Sequence, residues 1–268
     1  MEARLRQFGL LVAVLCATTA AYGNWVDNFD DGTFDQGWIF SDSVNAAIAS
    51  PGDAAATPTP TFEARVISPG DYLAINSLTG DPRSPVMTYG FTPDVFSNVW
   101  VRGLVNVDTT TGSNCDIGLV ARGDLTIGNA YVLTLDLATG AFDITKVTGL
   151  TSQVGIGHVG NLVTNPDQNT YFMEFDVRDV SPVKLIGRLY EDATMANLIA
   201  EVSALDSSSP HLAGVSGVVV AVNEQGNPPT PIGGTFDNVS SQTIPEPATL
   251  SLLALGGLAA LARRRRRK

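Results

Sequence analysis

Tyr171-Phe172-Met173-Glu174-Phe175-Asp176-Val177-Arg178 decides the fold. Tyr171, Met173, Phe175 and Val177 alternate with Phe172, Glu174, Asp176 and Arg178. A period of two sends one set to a core and the other to the opposite face, so the stretch is a half-buried strand. The same period recurs on both sides. Tyr131, Leu133, Leu135 and Leu137 alternate with Val132, Thr134 and Asp136, and Val99, Val101, Gly103 and Val105 alternate with Trp100, Arg102, Leu104 and Asn106. The pattern predicts strands over 24–30, 62–68, 72–76, 86–91, 98–107, 115–122, 130–137, 141–147, 169–178, 183–191, 197–203, 214–222 and 234–241. Ser50-Pro51-Gly52, Thr79-Gly80-Asp81-Pro82, Thr111-Gly112-Ser113, Ala138-Thr139-Gly140 and Asn227-Pro228-Pro229 supply turn chemistry between them. Ala54 to Thr61 reads as a small-residue, proline-bearing loop. Many short strands between closely spaced turns indicate an all-β sandwich. No internal repeat is evident, and no helix of three turns is expected before the C-terminal segment.

The two ends of the chain differ from this middle. Arg4 and Arg6 precede an apolar run from Phe8 to Ala17, and Ala21-Tyr22-Gly23 places small residues where a signal peptidase reads them. A signal peptide is expected over 1–23. Leu15 stands before Cys16 where a lipoprotein site needs a small residue, so lipidation is not expected. At the other end Ile244-Pro245-Glu246-Pro247 is followed by 15 uncharged residues, Ala248 to Ala262, and then by Arg263, Arg264, Arg265, Arg266, Arg267 and Lys268. As a helix the uncharged run would extend roughly 22 Å, against a bilayer core of about 30 Å. Snorkelling arginines and local thinning can close that gap. The run is apolar all round, unlike a core helix with a polar face, and the six cations fit the positive-inside rule. The expected organisation is a signal peptide (1–23), a sandwich (24–241), a stalk with the Pro-Glu-Pro motif (242–247), a transmembrane helix (248–262) and a basic cytoplasmic tail (263–268).

Residues 24 to 262 hold 26 of the 27 acidic and 8 of the 16 basic residues, a net charge of −18. That excludes nucleic acid as a partner, because phosphate binding needs a basic footprint. Only Cys115 remains after the signal peptide, so no intramolecular disulfide is expected.

Pro245, Glu246 and Pro247, the apolar run and the Arg-rich end together resemble the PEP-CTERM sorting signal of exosortase-processed bacterial surface proteins. The resemblance implies that Pro245, Glu246 and Pro247 are recognised by an exosortase. It also implies that the tail holds the exported precursor transiently in the inner membrane of a Gram-negative-type bacterium, and that Ala248 to Lys268 is removed. The middle of the chain resembles concanavalin-like (laminin-G or legume-lectin type) jelly-roll domains. Asp27-Asn28-Phe29-Asp30-Asp31-Gly32 with Phe34-Asp35-Gln36-Gly37-Trp38 is its opening, and Gly214 to Val222 and Gly233 to Val239 are its closing strands. In such folds the first and last strands commonly lie side by side. Lectins, glycosidases and structural modules share the fold, so it does not settle function.

Candidate chemistry is sparse. Glu174 and Asp176 share a strand face, as the carboxylates of some jelly-roll glycosidases do in a Glu-x-Asp-x-(x)-Glu strand. The third member would be Asp179, reached only through a bulge, and Arg178 in the unbulged position would hold the acids ionised. Cross-strand ion pairs to Lys184 or Arg188 are the simpler expectation. Pairing of the first and last strands would let Asp30 and Asp237 contribute oxygen ligands to a structural Ca²⁺, without the spacing of a Ca²⁺ loop. Asp27, Asp31 and Asp35 near them read as turn chemistry. His158 lies in a glycine-rich loop or edge that lacks the Lys-Ser of a phosphate loop. Trp25, Trp38 and Trp100 could stack on sugars, although packing is the commoner use. The expected protein is therefore not an enzyme and needs no cofactor. It is a surface or matrix protein associated with exopolysaccharide, with a carbohydrate-binding module as the alternative and a glycoside hydrolase behind both.

Overall fold

The computed structural model describes residues 24–34, 37–42, 46–48, 55–59, 62–67, 72–77, 86–108, 115–124, 128–149, 152–160, 162, 165–222 and 232–244. The expected signal peptide and transmembrane helix, the Pro-Glu-Pro motif and the basic tail lie outside these residues. Among the described residues no helix is long and apolar enough to cross a membrane.

In chain order the strands are β1 (Asn24–Asp27), β2 (Ile39–Asp42), β3 (Ala46–Ile48), β4 (Ala55–Thr59), β5 (Phe62–Ile67), β6 (Tyr72–Ser77), β7 (Val86–Phe96), β8 (Val99–Val105) and β9 (Cys115–Asp124). They continue with β10 (Asn129–Asp136), β11 (Phe142–Thr148), β12 (Ser152–Val159), β13 (Tyr171–Arg178), β14 (Val183–Tyr190), β15 (Leu198–Asp206), β16 (Gly214–Val222) and β17 (Ile232–Thr243). One sheet runs β15-β14-β13-β8-β17-β6-β5-β4, and β1 also pairs with β17. The other runs β12-β11-β10-β9-β16-β7-β2-β3.

The alternation sorts the two faces of β13 as expected, but the strand is not half-buried: Phe172, Glu174 and Asp176 on the outer face are buried as well. Tyr171, Met173, Phe175 and Val177 enter the core with Val99, Val101 and Val105 of β8 and Val183, Leu185 and Leu189 of β14. Ile117, Leu119, Leu133, Leu135, Phe142 and Ile144 meet them from the second sheet. At about 25 cal/mol per Å² this apolar burial is the main driving force for folding. A Cβ on Gly187 of β14 would stand 2.2 Å from Leu133 Cδ1, so the missing side chain makes the seat for that leucine. Gly140 adopts a left-handed φ of 74° in the β10–β11 hairpin, at the expected Thr139-Gly140 turn.

Every strand expected from the pattern is present, and the first and last pair, with Asn24 opposite Gln242 and Asp27 opposite Val239. Four elements differ from expectation. Ala55–Thr59, expected within a loop, is the edge strand β4, where Pro58 is tolerated because one side needs no partner. β2 and β3 are short, and β12 carries two glycines on the edge of the second sheet, so none of the three has a strong alternating signature. The sandwich also ends later than 241. β17 continues to Thr243, and the Ile244 N–H donates to the Asn98 carbonyl at 3.1 Å with Ile244 buried. Residues 242–244, expected in the stalk, thus belong to the sandwich.

Candidate functional site

The face of β13 that turns away from the core gathers a cluster of charged and aromatic groups. Register places Glu174 between Arg188 of β14 and Arg102 of β8, and Asp176 between Ile186 and Trp100. Glu174 Oε2 accepts from Arg102 Nε at 2.7 Å and Nη2 at 2.5 Å, and Oε1 accepts from Arg188 Nη1 at 2.6 Å. Arg188 Nε also donates to Glu201 of β15 at 2.8 Å. Asp176 Oδ1 and Oδ2 accept from Arg178 Nε and Nη2 at 2.6 and 2.5 Å. Both carboxylates are buried beneath these guanidinium groups. The pairing holds Arg178 above the usual guanidinium range, chiefly through its bond to Asp176.

This arrangement settles where the carboxylate string lies and what surrounds it. Glu174 and Asp176 share a face, as the alternation predicts, and each carboxylate oxygen carries a charge-assisted bond. Arg178 is the last residue of β13, and Asp179 leaves the strand with a left-handed φ of 64°. Asp179 therefore does not join the pair on that face; the further acid there is Glu201, which register sets opposite Arg188. Glu174 takes its partner from Arg188, one of the two expected cations, and from Arg102, which short-range reading of the sequence did not reach.

Trp100 lies on the same face with two cations over its ring: Arg102 at 5.1 Å and Arg178 at 5.5 Å from the centroid. Its π-face is therefore already engaged. Trp25 and Trp38 are fully buried, 4.9 Å apart in an edge contact, which is the packing role that is the commoner expectation for Trp; neither is open to a sugar. Asp27 explains the opening sequence. Its Oδ1 accepts from the Phe29 N–H at 2.9 Å and its Oδ2 from Trp38 Nε1 at 2.8 Å, which pins the N-terminal segment to the core.

Strand pairing does bring the two candidate Ca²⁺ ligands near each other. The Asp237 carboxyl is raised above its ordinary range, first by burial and further by the charges of Asp30 and Asp27, against bonds from Asn238 that lower it. Asp30 accepts from Asn28 Nδ2, and Asp237 accepts from the Asn238 N–H and Nδ2. Ca²⁺ takes six to eight oxygens. Among the described residues no group of three or more acidic, His or Cys side chains could hold a metal, so the two aspartates do not make up such a set.

The histidines separate. His158 lies on the exposed edge strand β12 and meets Asp143 across β11 at 2.5 Å. His211 is buried, stacked 4.9 Å from Tyr131, with Nε2 2.8 Å from the Val147 carbonyl. Cys115 is buried and donates to the Gly233 carbonyl at 3.3 Å, and burial pushes its thiol up to about 12, which makes it a poor nucleophile.

Arg122 is a group that the sequence did not single out. It occupies a bulge of β9, where residues 121 and 122 face a single residue of β16, and takes a left-handed φ of 52°. Nη1 donates to the His211 carbonyl at 2.8 Å and Nη2 to the Asp179 carbonyl at 2.7 Å. Nη2 also reaches Asn98 Oδ1 at 3.4 Å. A basic residue amid Gly-Leu-Val-Ala-Arg-Gly was the available signal.

Among solved structures the sandwich is similar to a winged bean acidic lectin, with a TM-score of 0.50 and 9% identity over 84% of this chain and 100% of the lectin. It also matches a carbohydrate-binding module, CBM66, of Bacillus subtilis (TM-score 0.47, 11% identity, 79% of this chain and 99% of the module). A third match is a family GH16 endo-β-1,3(4)-glucanase (TM-score 0.48, 13% identity, 84% and 92%). At such identities the likeness concerns the fold alone. No curated protein matches the sequence. Residues 243–267 match the PEP-CTERM protein-sorting motif. The chain thus carries, directly after the last strand of a lectin-like jelly roll, the sorting motif of exported, membrane-processed surface proteins.

Proposed function

We propose that the protein is a non-enzymatic display protein of the extracellular polysaccharide matrix, sorted and processed by an exosortase through Pro245, Glu246 and Pro247. The observation that carries this reading is the position of the matched motif, which begins where β17 ends and leaves no further domain between the sandwich and the signal. The ion pairs on the outer face of β13 support the non-enzymatic part. Both oxygens of each acid are taken by guanidinium groups, so neither carboxyl is open to a substrate in this arrangement. The test is the mass of the mature protein from its native host. Loss of the signal peptide and of Ala248 to Lys268 is expected, and replacing Pro245-Glu246-Pro247 with alanines should leave a tail-bearing precursor in the membrane. Unchanged processing of that variant would refute the sorting.

A second reading, a carbohydrate-binding module, is favoured by one observation. Four of the eight basic residues between 24 and 262, Arg102, Arg178, Lys184 and Arg188, lie on the face that holds Trp100. With the Trp100 ring covered by cations, an acidic polysaccharide suits this face better than a neutral one. A pull-down with neutral and uronic-acid polysaccharides at low and high salt separates the readings. Salt-sensitive retention of the acidic polymer alone supports the second, and retention of neither leaves the first.

A further inference from the structure

The two ends of the sandwich are not alike. At one end β7 turns into β8 at Ser97-Asn98, β13 turns into β14 through residues 179–182, and β15 leads to β16 through residues 207–213. The chain leaves β17 at the same end, since Thr243 pairs with Val99, which also faces Val177. Hydrogen bonds join these loops to the exit. The Ile244 N–H donates to the Asn98 carbonyl, Asn98 Oδ1 accepts from the Asp179 N–H at 2.9 Å, and Arg122 clamps the Asp179 and His211 carbonyls. β1 starts there too, with Asn24 opposite Gln242, so both termini of the sandwich emerge side by side.

This end is also the greasier one. Val95 is 70% exposed, Leu205 68%, Val180 56% and Leu212 54%. Each lies within three residues of Asn98, Asp206, Asp179 or His211, around the exit. Of the large exposed hydrophobics among the described residues, only Met195 and Leu198 mark the opposite end.

Three residues, 245–247, separate Ile244 from the apolar run. Fully extended, the steps from Ile244 to Ala248 reach at most about 14 Å. Each headgroup layer of a bilayer takes roughly 6 Å of that. A domain of this size has a radius of gyration of about 17 Å, so the leash is shorter than the body it holds. The apolar run is itself short for a bilayer core, which draws its flanks inward. The sandwich cannot swing away, and only the exit end can face the lipid.

We propose that in the tail-bearing precursor the exit end is seated on the membrane surface, with Val95, Val180, Leu205 and Leu212 dipping into the headgroup boundary. This rests on the sorting reading, because the tail must be in the membrane. Asp94, Asp124, Asp179 and Asp206 lie at the same end, as do Arg178, Lys184 and Lys146, which bonds the Ser208 and Ser209 carbonyls, so the contact is apolar and set by the tether, not by net charge. Such a contact is weak alone and effective when the tether makes it intramolecular. Removing the tail therefore releases the sandwich, while seating it presents Pro245-Glu246-Pro247 flush with the bilayer.

The experiment uses the full chain with Cys16→Ser, reconstituted in vesicles of phosphatidylethanolamine and phosphatidylglycerol. Single cysteines replace Val180, Leu212 or, at the opposite end, Ala193, and carry an environment-sensitive fluorophore; buried Cys115 stays unlabelled. The expected result is a blue shift and loss of quenching by aqueous iodide at positions 180 and 212, with no change at 193. Flotation with the vesicles reports the tail separately. A chain that floats with positions 180 and 212 as open as 193 overturns the seating alone. A chain that does not float overturns the membrane tether and the seating with it.

Discussion

Replacing Arg122 with methionine tests whether this buried cation holds the exit end together. Arg122 is 0% exposed, and methionine keeps most of its stem volume, so the change removes bonds more than packing. Two short charge-assisted bonds are lost, to the His211 and Asp179 carbonyls, at about 1.5 to 3 kcal/mol each. The 3.4 Å contact with Asn98 Oδ1 adds little at that length. Against this stands relief of the buried charge, whose desolvation already lowers the guanidinium below its ordinary range. That relief amounts to several kcal/mol for a fully buried ion, and less here because Asp179 itself is exposed and admits water nearby. The balance is a loss of about 2 to 3 kcal/mol. For a domain of this size each kcal/mol moves Tm by about 2 to 4 °C, so Tm should fall by roughly 4 to 12 °C. Urea unfolding should show a lower midpoint with an unchanged m-value. Hydrogen exchange should accelerate at the Asp179 and Ile244 amides, which both bond to Asn98. A variant as stable as the parent, or more so, would refute the clamp and place Arg122 with those buried ions that apolar residues replace without loss.

The remaining predictions concern titratable groups. Glu174→Gln leaves Arg102 and Arg188 facing each other without their shared anion, and should cost about 1 to 3 kcal/mol, below the 3 to 5 typical of a fully buried pair because both arginines are partly exposed; if the parent degrades any polysaccharide and this variant does not, the non-enzymatic reading is wrong. His211 is held below its ordinary pKa, first by burial and then by Lys146 and Arg122, against the Val147 carbonyl and Asp206. The unfolded chain therefore binds the proton first, and stability should fall as pH drops below about 6.5, by at most about 1.4 kcal/mol per pH unit; His211→Gln, which can still donate to Val147, should flatten that slope in urea titrations at pH 7 and pH 5. Asp237 is raised, so its ionisation opposes folding as pH rises above its unfolded value near 3.8. Asp237→Asn should raise Tm slightly at pH 7 in chelator, and a lowered Tm seen only with added Ca²⁺ would show that Asp30 and Asp237 do hold an ion.

Much of the architecture was legible because its signal is local. Alternation in β8, β10 and β13 fixed which side chains face the core, and Thr139-Gly140 marked its hairpin. β2, β3 and β4 escaped because three to five residues do not establish a period, and Pro58 argued against a strand that only an edge permits. The partners of Glu174 were half legible. Arg188 lies within reach of a hairpin register, whereas Arg102 arrives from a strand 72 residues away. Trp25 and Trp38 show the same limit from another side, since residue type allows stacking on a sugar or on a neighbour and only burial decides. Arg122 was illegible because its role depends on a bulge and on carbonyls from two distant loops.

On the outer face of β13 the neighbours of Glu174 and Asp176 decide what the string presents to solvent. Hydrolysis asks two carboxyls to differ, one protonated and one free to attack. Glu174 and Asp176 are both buried, and each is bonded through both oxygens to guanidinium groups. Any sugar approaching them would have to displace Arg102, Arg178 or Arg188, and the first two also cover Trp100. The cations are thus the outermost chemistry of that face, and the acids beneath serve to order them. A group entering there meets guanidinium first, which favours carboxylate or sulfate over neutral hydroxyl. This paired cluster lies on the flank of the sheet whose central strand, β17, runs out to the sorting motif.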